Sequence, residues 1–327
     1  MTLIISEQDV RALLPMQTAL EAVEESFRRQ GAGEITLQRR QRLDFGERGL
    51  LANMGAADRS IGYFGMKLYA TGRGAPHFLV SLYSAANAEL VALIEAESLG
   101  QMRTGAATGV ATKYLAAPEA RTAAVIGTGF QAQTQLEAIA AVRHLQMAWA
   151  YGRDVERRRT FCSDMSAKLG LPVAPAASAE EAVRDAEIIV TVTGSVQPML
   201  DGAWIAPGTH VNAVGSNFAQ KREIDSEAVQ RAAVIAVDSI EQAKIEAGDL
   251  IQAFAGDDTR WGPVIELAEI VAGKRKGREK PEQITLFKST GLAAWDIAVA
   301  ARVYERAVAE KRGTQITLWD SRGAAAT

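Results

Sequence analysis

The sequence predicts an α/β protein that combines a doubly wound parallel sheet with a smaller α+β domain. Strands and helical segments alternate from Arg121 onward, which is the pattern of parallel strands joined by crossover helices. Residues 35–94 instead contain short apolar or alternating runs separated by Gly, Asn and Asp, which is typical of antiparallel strands. A length of 327 residues suits about two domains.

The N-terminal part supplies the smaller domain. A strand is expected at 3–5, followed by a helix whose start is capped by the segment Ser6 to Asp9. A second helix is expected from Pro15 to Gln30, with Gly31 ending it. The expected strands are 35–45, 49–54, 65–69, 78–83 and 89–94, the last two forming a hairpin. Glycines in the helix predicted at 96–116 indicate close approach of a ligand or another backbone, or else tight helix packing.

The remaining elements predict the larger domain. Its expected strands are 122–126, 147–151, 171–173, 187–192, 210–214, 233–237 and 283–288, and its expected helices are 131–142, 155–169 and 179–185. A helix at 291–311 and a strand at 314–319 follow, and the basic run 273–280 is expected to be a solvated loop. We predict domains at 1–117 and 118–300, with 301–327 returning to the first domain.

Composition excludes several classes of protein. Lys and Arg total 36 against 39 Asp and Glu, and the pI near 5.8 disfavours a nucleic-acid partner. One cysteine and three histidines exclude an intrachain disulfide and a Cys/His zinc cluster, so no metal is expected. The N-terminus lacks a signal-peptide pattern and no long apolar segment is present, so we expect a cytoplasmic protein without a membrane partner.

A glycine-rich motif follows the first strand of the larger domain. Gly127, Thr128, Gly129, Phe130, Gln131 and Ala132 spell G-x-G-x-x-A between a buried strand and a helix. Gly127 permits the tight turn, Gly129 lets the backbone approach a pyrophosphate, and Ala132 permits close helix–strand packing. The following helix N-terminus favours phosphate. The motif predicts a Rossmann-type nicotinamide-dinucleotide site, although the glycines alone could also serve only to shape a turn.

The end of the next strand bears on the choice of dinucleotide. NAD-preferring sites place an acidic residue there for the ribose hydroxyls, whereas this chain has Gly152 and then Arg153. A guanidinium suits the 2′-phosphate of NADP(H), and Asp154 leaves NAD(H) possible. Thr193, Gly194 and Ser195 follow another strand end, where a nicotinamide ribose is expected.

Four basic residues of the first domain are candidates for binding an anion. Arg39, Arg40, Lys67 and Arg103 lie in or beside its predicted elements. Taken singly, each is expected to be a solvated side chain. Together with the phosphate loop they predict a cleft for a substrate carboxylate, which Arg binds bidentately and Lys contacts as a point charge or proton donor.

Several short motifs give the chain its resemblance to a known family. They occupy 65–67, 102–106, 127–132, 207–215, 223–225, 248–249 and 287–291. In this order and spacing the sequence resembles the ornithine cyclodeaminase/mu-crystallin family over nearly its whole length. The resemblance implies a two-domain homodimer with a Rossmann domain and a substrate-binding, dimerising domain.

The resemblance also implies an activity. Family members act on small α-amino or α-imino acids with NADP(H) or NAD(H), as cyclic ketimine reductases, amino-acid dehydrogenases or cyclodeaminases. The positions that match substrate and charge-handling residues are Arg40, Lys67 and Arg103, with Lys67 near the imine. Arg40 departs from the family's Pro-x-Arg pattern, because Gln38 and Arg39 precede it.

One departure favours reduction over cyclodeamination. Asn217 stands where the family's cyclodeaminases place an aspartate that handles the substrate's amino group. An amide can hydrogen-bond the nitrogen but cannot act as a carboxylate base, so Asn217 is expected to orient the nitrogen of an imine or amine. Ornithine or lysine cyclodeamination with catalytic NAD⁺ remains the alternative, and a mu-crystallin-like binding protein without turnover is a third. Asp225 is expected to be a loop or helix cap.

Overall fold

The computed structural model describes residues 1–318, and their contacts divide the chain into two compact units. Unit 1 comprises Met1–Ala22, Gly33–Arg103 and the chain from Leu292, and unit 2 comprises Val23–Ala32 and Thr104–Gly291. These divisions differ from the boundaries expected at 117/118 and 300/301. Instead of 117/118, the observed boundary lies between Arg103 and Thr104, inside a helix. Arg103 pairs with a residue of unit 1, whereas a later turn of the same helix forms a hydrogen bond within unit 2.

Strands and helices are numbered in chain order within residues 1–318. The strands are β1 (Thr2–Ile5), β2 (Ile35–Asp44), β3 (Gly49–Asp58), β4 (Tyr63–Gly72), β5 (His77–Ser84), β6 (Leu90–Glu95), β7 (Thr122–Ile126), β8 (Met147–Tyr151), β9 (Val173–Pro175), β10 (Ile188–Thr191), β11 (His210–Ala213), β12 (Ala232–Val237), β13 (Ile265–Glu266), β14 (Ile284–Lys288) and β15 (Thr314–Ile316). The helices are α1 (Glu7–Leu13), α2 (Met16–Ala32), α3 (Glu97–Leu115), α4 (Phe130–Val142), α5 (Val155–Leu169), α6 (Ala179–Val183), α7 (Ser226–Arg231), α8 (Ile240–Glu246), α9 (Gly248–Phe254), α10 (Leu267–Val271) and α11 (Ala293–Ala309).

Unit 1 is built on a mixed sheet. Within the described residues its strand order is β15-β1-β6-β5-β4-β3-β2, and every neighbouring pair is antiparallel except β1 and β6. The predicted hairpin of β5 and β6 is confirmed. So is the capped start of α1, where Ser6 and Asp9 form a capping box. Helix α11 packs against β3, β4 and β5 and covers one face of the sheet.

Unit 2 contains the doubly wound parallel sheet that the sequence predicts. Its strand order in the described part of the chain is β13-β12-β14-β11-β10-β7-β8-β9, with parallel pairing throughout. Apolar clusters include residues from the central strands and the helices that flank them. Strands β10, β11 and β14 are buried at every position, as expected for parallel strands covered on both faces. The switch of strand order beside β7 places its carboxyl end at the usual ligand position of such sheets.

Several element ends differ from the predictions. Helix α2 continues through Gly31 to Ala32, and Gly33 follows with φ of +80°. The strand expected at 314–319 ends at Ile316, and position 319 lies outside the described residues. The run 273–280 is mostly exposed, but the Arg278 guanidinium is half-buried and donates to the carbonyls of Leu115 and Pro281. Arg278 therefore fastens this loop.

The helices α7, α8, α9 and α10 were not predicted. Each has only five to seven residues, which is too short for a clear helical period. None of the helices within residues 1–318 is both long and apolar enough to cross a membrane.

Candidate active site

The glycine loop of unit 2 has the geometry that a dinucleotide requires. Gly127 has φ of +108°, and a Cβ there would lie 2.5 Å from the Val192 carbonyl oxygen. Gly129 is the N-cap of α4, in extended conformation and without a side-chain cap. Apart from its chain neighbours, no atom of residues 1–318 would lie within 4 Å of a Cβ on Gly129, so the space before the helix is open. An uncapped helix N-terminus facing open space is suited to phosphate.

Most of the predicted cofactor residues surround one cavity. It measures about 350 Å³ and is lined by Ile126, Gly127, Thr128, Gly129, Tyr151, Gly152, Arg153, Asp154, Arg157, Val192, Thr193, Gly194, Ser195 and Met199. Of the predicted set, Phe130 and Gln131 are not in the lining and instead form the first turn of α4. The glycine cradle, the helix end and the cavity fit a nicotinamide dinucleotide.

No acidic residue follows β8 directly, because Gly152 occupies that position beside the Thr128 side chain. A Cβ on Gly152 would lie 2.4 Å from Thr128 Oγ1, so a larger residue there would require the Thr128 side chain to shift. The Asp154 carboxylate caps α5 by accepting the Arg157 N–H at 3.0 Å. The Arg153 and Arg157 side chains are exposed at the same cavity. This end of the cavity therefore offers two guanidinium groups, and its one carboxylate is already used as a cap.

A buried glutamate joins the two loops that follow β10 and β11. Glu223 is fully buried, and its carboxylate accepts the N–H of Thr193 at 2.5 Å and of Gly215 at 2.6 Å. Burial raises the pKa of Glu223, and the nearby Lys288 ammonium opposes that rise. The sequence identified Glu223 only as part of a family motif. Its contacts show that it fixes the start of the 193–195 loop.

The loop that carries Asn217 is held by a buried ion pair. Lys288 Nζ lies 2.7 Å from Asp249 Oδ2 and donates to the Ser216 carbonyl at 2.7 Å. Asp249 Oδ1 accepts the Glu223 N–H at 2.6 Å. Asn217, the next residue after Ser216, is half-buried. Asp225 is the N-cap of α7, as expected.

In unit 1, the structure brings together two of the predicted basic residues and adds a carboxylate. Lys67 lies on β4, Arg103 on α3 and Asp296 on α11. Lys67 Nζ and Arg103 Nε lie 2.8 Å and 3.1 Å from the same oxygen, Asp296 Oδ1. The side chains of Lys67 and Asp296 are 3% and 0% exposed. Charges this deeply buried are stable only when they are paired, so these residues act as one cluster, which we call the Lys67 cluster.

The surroundings of Lys67 favour loss of its proton. The pKa of Lys67 is lowered to about 8: burial is the largest cause, the Arg103 and Arg40 guanidinium groups also lower it, and Asp296 opposes them. A Cβ on Gly100 would lie 3.0 Å from Lys67 Nζ, so the glycine leaves room for the ammonium group. A lysine with a pKa near neutrality can give and take a proton at physiological pH.

Arg39 and Arg40 lie in an irregularity of the sheet. The pairing of β2 with β3 shifts between Gln38 and Gln41, so both arginines oppose the single residue Met54. Such a bulge redirects side chains. Arg39 is exposed, whereas Arg40 is half-buried with Nη2 at 3.6 Å from Met54 Sδ. Met54 is the cross-strand partner of Lys67, which places Arg40 on the side of the sheet that carries the Lys67 cluster.

Asp296 was not predicted from the sequence. It is the one charged residue in the apolar run 292–301, and a lone charge in such a run is a signal for a buried ion pair. Lys67 is 229 positions away in the sequence, so it could not be recognised as the partner of Asp296. His210 and Cys162 are buried residues of unit 2. His210 is buried between Thr285 and Asn212, and burial raises the pKa of the Cys162 thiol to about 11.

The fold and these sites define a two-unit α/β protein that binds a nicotinamide dinucleotide. Residues 1–311 match the model of the ornithine cyclodeaminase/mu-crystallin family. The chain belongs to that family, as the sequence motifs predicted.

Individual relatives are similar over much or nearly all of the chain. The Δ1-pyrroline-2-carboxylate reductase of Bacillus cereus strain ATCC 14579 is 42% identical over 229 residues, which cover 70% of each protein. The structure of Thermococcus litoralis Δ1-pyrroline-2-carboxylate reductase with NADH and L-proline has a TM-score of 0.92 and 34% identity, covering 96% of this chain and 100% of that one. An archaeal alanine dehydrogenase dimer with bound NAD also has a TM-score of 0.92 and 34% identity, covering 97% and 99%.

Proposed function

We propose that this protein is a nicotinamide-dependent oxidoreductase that reduces small α-imino acids, with cyclic ketimines such as pyrroline-2-carboxylate or piperidine-2-carboxylate as the preferred substrates. The observation that carries the proposal is the Lys67 cluster, a buried cation pair sharing one carboxylate, in a chain that also has a dinucleotide cradle. The relatives that act on pyrroline-2-carboxylate support the substrate class. In this proposal unit 1 binds the substrate and unit 2 binds the dinucleotide.

The reaction adds a hydride to the α-carbon of the imine and a proton to its nitrogen. The dinucleotide supplies the hydride. Arg103 and Arg40 bind the substrate carboxylate, because guanidinium groups form paired hydrogen bonds with carboxylates. Lys67 delivers the proton to the nitrogen, a role that suits an amine whose pKa burial lowers to about 8. Asn217 hydrogen-bonds the same nitrogen and orients it.

We propose NADP(H) as the preferred dinucleotide, with NAD(H) as the weaker alternative. The 2′-phosphate is an anion, and Arg153 and Arg157 both line the cavity at the end of β8. Asp154, the acidic residue nearest that strand end, is engaged as the cap of α5. The residue directly after β8 is Gly152, which offers no carboxylate.

We further propose that the protein is a homodimer formed through unit 1. Because Lys67 points toward α11, the neighbouring Met66 and Leu68 point to the opposite face of the sheet. Met66, Leu68 and Leu79 are 38%, 38% and 36% exposed on that face, and Leu68 pairs directly with Leu79. Adjacent exposed apolar residues on a sheet are typical of an interface. Light scattering should give twice the chain mass of 35.0 kDa, and a monomer would contradict the proposal.

A substrate panel tests the activity. The purified protein is mixed with NADPH and, separately, pyrroline-2-carboxylate, piperidine-2-carboxylate, or pyruvate with ammonia, and loss of reduced nicotinamide is followed by absorbance. We expect the fastest oxidation with a cyclic ketimine. If pyruvate with ammonia is fastest, the ketimine preference is wrong and the reductase class stands. No oxidation with any of them, with NADPH or with NADH, would refute the reductase.

A further inference from the structure

Asp296 is the point at which the substrate-handling cations of unit 1 meet. Its Oδ1 atom accepts hydrogen bonds from both Lys67 Nζ and Arg103 Nε. Its Oδ2 atom is buried and has no hydrogen-bond partner within residues 1–318. One oxygen therefore fixes the distance between an ammonium group from β4 and a guanidinium group from α3.

Asp296 contacts one of the three guanidinium nitrogens of Arg103, which bears on how Arg103 can bind a ligand. Asp296 engages Nε, and no hydrogen bond among the described residues engages Nη1 or Nη2 of Arg103. The Arg103 guanidinium also lies 5.8 Å from the centre of the Trp295 ring, which restricts its orientation. The two Nη groups are the fork that binds a carboxylate. Asp296 and Trp295 thus hold Arg103 while its fork stays available.

Charge within the cluster favours an incoming anion. Lys67 and Arg103 carry two positive charges against the single charge of Asp296, and Arg40 adds a third cation from β2. A buried excess of positive charge is costly, so binding of a substrate carboxylate would stabilise the cluster by neutralising part of that charge. Without Asp296 the cations would repel each other at short range and the ammonium group would lose its proton more readily.

Building on the proposed function, we propose that Asp296 is the positioning residue of the site, which holds the Lys67 ammonium and the Arg103 fork in the arrangement that a carboxylate-bearing imine needs. Asp296 does not touch the substrate in this proposal. It acts by fixing two groups that do.

The first test does not depend on turnover. The protein is labelled with ¹³C at lysine Cε, and the Lys67 signal is assigned by its absence from a Lys67→Met variant. The groups that face Lys67 are Asp296, Arg103 and Arg40, and only Asp296 raises its pKa. In Asp296→Asn the Lys67 titration midpoint should therefore fall by about 1 pH unit or more. An unchanged midpoint would overturn the proposal, whether or not a substrate has been found.

The second test follows catalysis with pyrroline-2-carboxylate and NADPH. Because small displacements of catalytic groups cost about 100-fold, kcat/KM of Asp296→Asn should fall by about that factor, and the fall of kcat/KM at high pH should begin at a lower pH than in the wild type. A purely structural role would reduce activity equally at every pH and would overturn the proposal. If the wild type has no activity, the proposed function fails, while the NMR titration still decides the role of Asp296.

Two further variants control for folding. Asp164→Asn removes an exposed carboxylate on α5 and should leave the Lys67 midpoint and kcat/KM unchanged. Asp296→Glu keeps the charge and should restore the midpoint to near the wild-type value, with part of the activity. If Asp296→Asn does not fold, Asp296→Glu becomes the decisive variant. If the Lys67 titration midpoint fell by about 1 pH unit or more in Asp296→Glu as well, the proposal would be contradicted.

Discussion

Replacing Arg153 and Arg157 with alanine tests how the protein selects its dinucleotide. Both side chains line the cavity at the end of β8 and both are exposed. A hydrogen bond between charged groups contributes about 1.5–3 kcal/mol, and exposure places these contacts at the lower end of that range. Since about 1.4 kcal/mol corresponds to tenfold in affinity, each substitution should weaken NADPH binding about tenfold.

The double variant should therefore lose about 100-fold in affinity for NADPH if the two contributions add. NADH lacks the 2′-phosphate, so its affinity should change by less than about threefold. Dissociation constants from nicotinamide fluorescence titrations measure both. Because the arginines are exposed, rising ionic strength should also weaken NADPH binding more than NADH binding.

Arg159→Ala is the matched control. Arg159 lies on the same helix, pairs with Glu156 at 3.0 Å and does not line the cavity. Its removal should leave the affinities for both dinucleotides unchanged. If the Arg153 and Arg157 variants lost equal affinity for NADPH and NADH, this end of the cavity would not be a 2′-phosphate site. A wild type that binds NADH more tightly than NADPH would refute that assignment too.

Three further predictions concern the substrate site and the core. Lys67→Met should abolish reduction of cyclic ketimines while the dissociation constant for NADPH stays within about twofold, because the lysine belongs to unit 1; a variant that still turns over would remove Lys67 from the mechanism. The wild type should release no ammonia from ornithine, because Asn217 cannot act as a base; ammonia production in a standard ammonia assay would instead support a cyclodeaminase, and a gain of this activity in Asn217→Asp would support the role given to Asn217. His210 has its pKa lowered by burial to about 3, so it contributes stability that is complete above its unfolded pKa of about 6.5 and is lost as pH falls toward 3. Between about pH 7.5 and pH 5, the wild type should lose about 2 kcal/mol more unfolding free energy in urea than His210→Gln; equal losses would mean that His210 is not held neutral.

Local signals account for the parts of the fold that the sequence predicted. The bounds of β7, β8 and α5 match the predictions. The strands are continuous apolar runs, and α5 has a side-chain cap at Asp154 and a left-handed glycine at its end, Gly170. These features depend on neighbouring residues only. The glycine loop was predictable for the same reason, since its chemistry is contained in six consecutive positions.

Contacts between distant positions account for what was missed. The Lys67 cluster joins β4, α3 and α11, and no local pattern connects Asp296 to Lys67. The division of α3 between the two units likewise depends on which partners its successive turns find. Arg40 was predicted as one of four basic residues and from the family resemblance, although it departs from the family's motif, and its half-buried position follows from a bulge that only strand register reveals.

Transfer of a labelled hydride tests directly whether this protein reduces a cyclic ketimine. The protein is incubated with pyrroline-2-carboxylate and NADPH that carries deuterium at the transferred position of nicotinamide C4, and the amino acid formed is examined by mass spectrometry. We expect proline with a single deuterium on its α-carbon, formed in equal amount to the NADP⁺ produced. Proline without deuterium on that carbon, or consumption of pyrroline-2-carboxylate without oxidation of the dinucleotide, would contradict it.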